Sequence, residues 1–135
     1  MFDEAMITQV DDVKIINTTM HPITFQCADG SLVVIPPTPE YVINAEIDNS
    51  ETHHDDRRHA DFVTPRFNAD RSIARALENF LDAYPDVILA GSLIAAQAYP
   101  RLICAMIPVP GFERVPPDQK RMDPHKWTEY AYSRG

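Results

Sequence analysis

Asp86-Val-Ile-Leu-Ala-Gly-Ser-Leu-Ile-Ala-Ala-Gln-Ala-Tyr-Pro100 is the stretch of sequence that decides the fold of this chain. Residues 87–90 predict a buried strand, and Gly91-Ser92 predicts a tight turn. A short helix over about 92–99 follows and ends before Pro100, because proline cannot continue a helix. Since apolar residues occur on every side of this segment, we expect it to form the centre of the core, with a helix start beside a strand end.

A longer amphipathic helix is predicted immediately before this segment, over about residues 70–84. Asn68 or Asp70 can cap its first turn, and Pro85 lies just past its end. One apolar stripe runs along it, formed by Ile73, Ala76, Leu77, Phe80, Leu81 and Tyr84. The stripe indicates a helix that packs one face on a core.

The rest of the apolar sequence predicts strands. The clearest pair is a hairpin of residues 23–27 and 32–35 around Asp29-Gly30; the other candidates are residues 13–17, 41–47, 102–107 and 125–132. The predicted fold class is therefore α+β, a mixed and largely antiparallel sheet with the two helices. Residues 87–90 and 102–107 can pair in parallel through the short helix or antiparallel, and the sequence leaves both open.

Length and composition predict one globular domain over residues 1–135. Residues 48–61 have no apolar periodicity, so we expect an exposed, mobile, acidic and His-rich loop there. The chain has 12 prolines, roughly twice the usual share of about 5%. Several of them lie in 108–124, which predicts a Pro-rich extended segment.

The net charge of −8 argues against direct nucleic-acid binding, because affinity for phosphates comes mainly from Lys and Arg. It is compatible with solubility, with a basic protein partner, or with imitation of the charge of a nucleic acid. Neither a membrane-spanning apolar run nor a secretory signal is evident in the sequence. These features predict a cytoplasmic protein.

The first candidate site is the turn at Gly91 and Ser92, with His21 as a possible neighbour. A helix start offers free backbone N–H groups to an anion, and α/β sheets bind ligands beyond strand ends. The structural alternative is that Ser92 is an ordinary N-cap and Gly91 merely makes the turn. The sequence does not show whether His21 and Ser92 meet.

The second candidate site lies in the polar run His53–Asp61, where loops often carry function. We expect partner contacts from His54, Asp55, Arg57, Arg58 and His59. No Cys-x-x-Cys or His-Glu-x-x-His spacing accompanies these residues, so no metal site is predicted. No catalytic set and no cofactor motif is recognisable in the sequence, which favours a non-enzymatic protein.

Three segments carry a resemblance to a known group. They are Ile15-Ile-Asn-Thr-Thr-Met-His-Pro-Ile-Thr-Phe25, Ile35-Pro-Pro37 and Val87-Ile-Leu-Ala-Gly-Ser-Leu-Ile-Ala-Ala-Gln-Ala98. They resemble small uncharacterised bacteriophage and bacterial proteins with an Ile-Asn-x-Thr-x-His-type strand end and a later Ser-x-x-Ala-Gln-Ala-type helix. About a third of the chain matches; Thr19-Met20 departs from the usual Thr-Pro, and residues 48–85 resemble an insertion. The resemblance implies a phage origin and brings no catalytic residues.

These observations lead to three hypotheses of function. The first is a phage-type accessory protein that binds a host or viral protein in the host cytoplasm. The second is a small nucleotide-binding or nucleotide-processing protein that uses the Gly91-Ser92 turn. The third is a component of the virion or of its assembly.

Overall fold

The computed structural model describes residues 2–131, with residues 48–50 described by their backbone alone. Within these residues nine strands and two α-helices follow one another along the chain. They are β1 (Thr8–Val10), β2 (Val13–Asn17), β3 (Ile23–Gln26), β4 (Leu32–Ile35), β5 (Glu46–Asp55), β6 (Ala60–Asn68), α1 (Arg71–Ala83), β7 (Val87–Gly91), α2 (Leu93–Ala98), β8 (Cys104–Pro108) and β9 (Met122–Thr128). No helix in this part of the chain is long and apolar enough to cross a membrane.

Seven strands form the main sheet in the order β1-β2-β7-β8-β9-β3-β4, and β5 and β6 form a separate hairpin. The structure thus confirms a mixed fold of sheet and helix, with sheet predominating. The pairs β2–β7, β7–β8 and β9–β3 are parallel, and β1–β2, β8–β9 and β3–β4 are antiparallel. The expectation of a largely antiparallel sheet was therefore wrong for the main sheet. The parallel pairing of β7 with β8 arises from the α2 crossover, which returns the chain so that both strands run in the same direction.

The central strands are largely buried on both faces, which explains the continuous apolar sequence of β7 and the adjacent Ile15 and Ile16 of β2. Ile16 and Leu89 face one hydrophobic cluster, which includes Leu77 and Phe80 of α1. Ile15 on the opposite face belongs to a second cluster, formed between the strands of the main sheet.

The main sheet curls so that its two ends meet around this second cluster. The Asn17 side chain at the end of β2 donates from Nδ2 to the Ile35 carbonyl of edge strand β4, at 3.0 Å. At the other end of these strands, Oδ2 of Asp11 accepts from the Ala28 backbone N–H at 2.8 Å. The interior between these two contacts is filled by aromatic and aliphatic side chains, with Phe25 completely buried.

Both predicted helices are confirmed. Asp70 is the N-cap of α1, where Oδ1 accepts from the backbone N–H groups of Ser72 and Ile73 at 2.8 and 3.2 Å. Ser92 is the N-cap of α2, and its Oγ accepts from the Ala95 N–H at 3.0 Å. Side-chain acceptors of this kind satisfy donors that the first helical turn leaves unpaired.

Four local predictions were wrong or displaced. The segment predicted as a loop over 48–61 forms most of a hairpin, because main-chain pairing rather than an apolar pattern sets its structure. Residues 41–47 are not one strand, since a 3₁₀ turn occupies Pro39–Tyr41 and β5 begins only at Glu46. The extended segment 108–124 is shortened by β8, by a 3₁₀ turn at Pro117–Gln119 and by β9. The tail predicted as a strand over 125–132 is a strand that begins earlier, at Met122, and residue 132 lies outside the described residues.

Carboxylates at the surface accept hydrogen bonds in the folded state. These hydrogen bonds lead us to expect that the protein loses stability in acid. Five aspartates have pKa values below the ordinary 3.8, chiefly because they accept hydrogen bonds from the Ala28 N–H, Ser31, Arg58, Ser72 and Lys14, respectively: Asp11, Asp29, Asp55, Asp70 and Asp86. A lowered pKa in the folded state stabilises the protein above the ordinary value and stops doing so as the pH falls through the lowered value.

We therefore expect these groups to leave the melting temperature unchanged between about pH 7 and 5 and to lower it below about pH 4. The effect of each is small because solvent screens exposed charges. Thermal unfolding followed by circular dichroism across this range measures the trend. Asp70→Asn is the control, since asparagine caps a helix equally well without titrating; its pH dependence should be shallower. A melting temperature that rises below pH 4 would contradict the assignment.

Candidate functional sites

One end of the main sheet gathers the connections from which a binding site can be built. The parallel strands β2, β7 and β8 all finish there, at Asn17, Gly91 and Pro108. Open α/β sheets bind ligands beyond the carboxyl ends of such strands. The residues that follow these strands are therefore the leading candidates for a binding site.

The chain after β2 is held by one buried side chain, that of Asn17. Its Nδ2 donates to the carbonyl oxygens of His21 and Ile35, at 2.9 and 3.0 Å. Its Oδ1 accepts from the backbone N–H and the hydroxyl of Thr19, at 2.8 and 2.7 Å. The Thr19 hydroxyl also contacts the main chain of His21. These bonds close residues 17–21 into a fixed loop and place the His21 ring at the rim of the sheet.

Gly91 has a structural role that its position in the sequence does not reveal. A Cβ at this position would lie 2.3 Å from Cγ2 of Ile103 and 3.2 Å from Oγ1 of Thr18. Both of these neighbours are completely buried. Glycine is therefore required here because the strand end packs closely against its neighbours. The Ser92 hydroxyl also has a structural role as the N-cap of α2.

His21 and Ser92 nevertheless meet at one cavity. It has a volume of about 350 Å³ and both residues line it, together with Thr19, Met106, Lys120 and Met122. Gly91 is buried and does not line it. The structure thus brings two of the three predicted ligand-binding residues together. We call this space the strand-end cavity.

Lys120, Met106 and Met122 were missed as lining residues by the sequence reasoning. Lys120 lies in the Pro-rich segment, and the two methionines lie in β8 and β9. The sequence places Met106 in a predicted strand and Met122 in the segment predicted to be extended, and neither position indicates a binding site. Only the non-local pairing of β8 with β9 and of β9 with β3 brings these three residues beside His21.

The strand-end cavity combines an apolar wall with a few polar side chains, as ligand pockets usually do. None of the residues described as lining it is an Asp, Glu or Cys, so neither a carboxylate nor a thiol faces His21 there. Elsewhere in β8, burial and secondarily the charge of Glu129 raise the pKa of the Cys104 thiol, which disfavours the reactive thiolate.

The second candidate site is the tip of the β5–β6 hairpin, where all five predicted partner-contact residues lie together. Asp55 forms the turn: its Oδ1 accepts from the backbone N–H groups of Arg57 and Arg58, at 2.9 and 3.1 Å. Its Oδ2 accepts from Nε of Arg58 at 2.8 Å. His59 adopts a left-handed φ of 55° and completes the turn. His54 contacts Asp61 across the strands, 2.6 Å from Nδ1 to Oδ1.

The two faces of this hairpin differ in chemistry, as the register shows. One face, which we call the charged face, carries Glu51, Phe62 and Arg66: Glu51 pairs with Arg66, and Arg58 covers the Phe62 ring at 3.8 Å. The other, the aliphatic face, carries Ile47, Thr52, Val63 and Pro65. Ile47 and Val63 keep 50% and 47% of their surface exposed.

The hairpin and the strand-end cavity are separate, since no described hairpin residue lines that cavity. Within the described residues, no three His, Cys, Asp or Glu side chains are placed to hold one metal ion. In comparisons with protein-family models, curated protein sequences and solved structures, nothing matched this chain.

Proposed function

We propose that this chain is a small, non-enzymatic accessory protein of phage type that binds a host or viral protein in the cytoplasm. The single observation that supports the proposal is the uncovered aliphatic face of the β5–β6 hairpin. The phage setting is supported by the sequence resemblance alone.

The β5–β6 hairpin is a two-stranded ribbon, and an isolated hairpin is marginally stable in water. We therefore expect it to serve a purpose other than stabilising the fold. Strand β6 has nine residues, a length of roughly 30 Å at about 3.3 Å per residue. Only its base reaches the core, through the half-buried Phe67. Further out, Val63 and Pro65 are exposed, while charged side chains of the charged face and the tip pair with one another. Exposed apolar strips of this kind mark interaction surfaces.

The base and the tip of the hairpin differ in chemistry, and each indicates what the facing surface of the partner should offer. Near the base it offers only aliphatic contact, so the partner needs a complementary apolar strip. At the tip the His54–Asp61 pair and the Asp55–Arg58 pair offer donors and acceptors for hydrogen bonds at a polar rim. An apolar centre with a polar rim is the usual anatomy of a protein–protein interface.

A matched pair of substitutions tests this proposal. Val63→Asp places a charge on the aliphatic face, and Thr64→Asp places the same charge on the neighbouring position of the charged face. Because burying an unpaired charge is costly, we expect Val63→Asp to weaken partner binding at least about tenfold and Thr64→Asp to change it little. Capture from infected-cell and host lysates, followed by titration of the captured protein, provides the measurement.

Equal capture by the two variants would contradict the proposal, and so would the absence of any saturable partner. Melting temperatures of both variants check that the hairpin remains folded. Light scattering of the purified protein tests whether the chain forms a dimer. If the chain forms a dimer that Val63→Asp dissociates, a second copy covers the aliphatic face, and assembly replaces partner binding as the function.

A further inference from the structure

We propose that the strand-end cavity binds a small amphiphilic anion, an apolar body that carries one carboxylate or phosphate head. This site is distinct from the hairpin and its binding is independent of the function proposed above. The inference depends on three properties of the cavity: its apolar wall, its free cationic group and its size.

The apolar wall is formed by Ile23, Met106 and Met122. Ile23 is buried, and both methionines also pack against the cluster inside the curled sheet. The cavity is therefore the mouth of a small curled sheet, a position at which such folds commonly take ligands. Methionine side chains are flexible and polarisable, so this wall can adjust to the shape of an acyl chain or ring.

The head group is expected at Lys120 and His21. Lys120 is half-buried, and its backbone is fixed by an N–H donated to the Pro117 carbonyl. Among the described residues, neither Nζ of Lys120 nor the ring of His21 has a hydrogen-bond or ion-pair partner. With no described carboxylate in the lining to neutralise it, the ammonium group favours an anion at this position.

The volume is that of a small ligand pocket. At about 350 Å³ the cavity lies at the lower end of the range for ligand pockets in proteins, roughly 300–1,000 Å³. Octanoate, with about ten non-hydrogen atoms, is small enough for a pocket of this class. The apolar wall favours such an amphiphile over the nucleotide suggested by the turn at Ser92, since burying the polar groups of a ribose and a base against it would be costly.

The test uses octanoate as the probe and the full chain with ¹³C-methyl-labelled methionine. Bound octanoate should shift the methyl resonances of Met106 and Met122 in a saturable, one-to-one manner and leave that of Met6 unchanged. Lys120→Gln should weaken binding at least about tenfold, because it removes one charge-assisted hydrogen bond. The matched control is Lys126→Gln, which removes an exposed lysine outside the cavity and should leave affinity unchanged.

Octanamide and adenosine monophosphate complete the design. The neutral amide should bind more weakly than octanoate by a factor similar to that of Lys120→Gln. The proposal is overturned if octanoate gives no saturable shift, if the two lysine variants bind it equally, or if the nucleotide shifts both methionines and octanoate does not.

Discussion

Replacing Gly91 with alanine is expected to lower the free energy of unfolding by about 3 kcal/mol, the upper end of the range for overpacking a core. The added Cβ would lie 2.3 Å from Cγ2 of Ile103, a distance that no relaxed contact reaches. Oγ1 of Thr18 would lie 3.2 Å from the same Cβ, so the added methyl group would be crowded by two completely buried neighbours. Urea denaturation of the wild type and of Gly91→Ala measures the difference.

The same experiment in an Ile103→Ala background isolates the cause. Ile103→Ala removes the methyl group that Cβ would meet and is itself destabilising, because it opens a cavity in the core. In that background we expect the added cost of Gly91→Ala to fall below about 1 kcal/mol, a non-additivity typical of residues in contact. Additive costs would show that the glycine is required for another reason.

Replacing Asn17 with alanine is the second change with a large expected effect, also about 3 kcal/mol, since a buried side chain with four hydrogen bonds is lost. The side chain is 2% exposed, so water cannot replace it without entering the core. Its loss releases Ile35 at the edge of the sheet and the loop that carries Thr19 and His21. Chemical denaturation again provides the measurement.

The isosteric Asn17→Asp separates the two halves of this network. Aspartate retains the acceptor for Thr19 but has no donor for the carbonyl groups of His21 and Ile35, and at neutral pH it buries a negative charge. We expect it to be at least as destabilising as Asn17→Ala. A loss below about 1 kcal/mol for both variants would contradict the central role given to this side chain.

The parts of the fold that the sequence could predict are those with local causes. Asp70 and Pro85 bound α1, and Ser92 and Pro100 bound α2, because caps and prolines act over a few residues. The turn at Asp29-Gly30 is similar, and Gly30 has the positive φ of 89° that favours glycine.

The parts of the fold that the sequence could not predict depend on pairing between strands far apart in the chain, or on strands with solvent at both faces. The register that pairs Lys14 with Val87 leaves no signal in either strand. Strands β5 and β6 are hydrated on both sides, so they lack the alternation by which a half-buried strand is recognised. The same limit applies to the strand-end cavity: Ser92 and His21 were recognisable by residue type, while Lys120 reaches them only through the position of β9.

The central position of β9 between β8 and β3 also determines the order in which the nascent chain can fold. The β3–β4 hairpin leaves the ribosome early, but the strand that joins it to the rest of the main sheet follows only after residues 122–128 have been synthesised. Until then β3 and β8 present two open edges, a period of seconds at ordinary translation rates. Open edges pair readily with other strands, so chains stalled before β9 should require a chaperone that the completed chain does not.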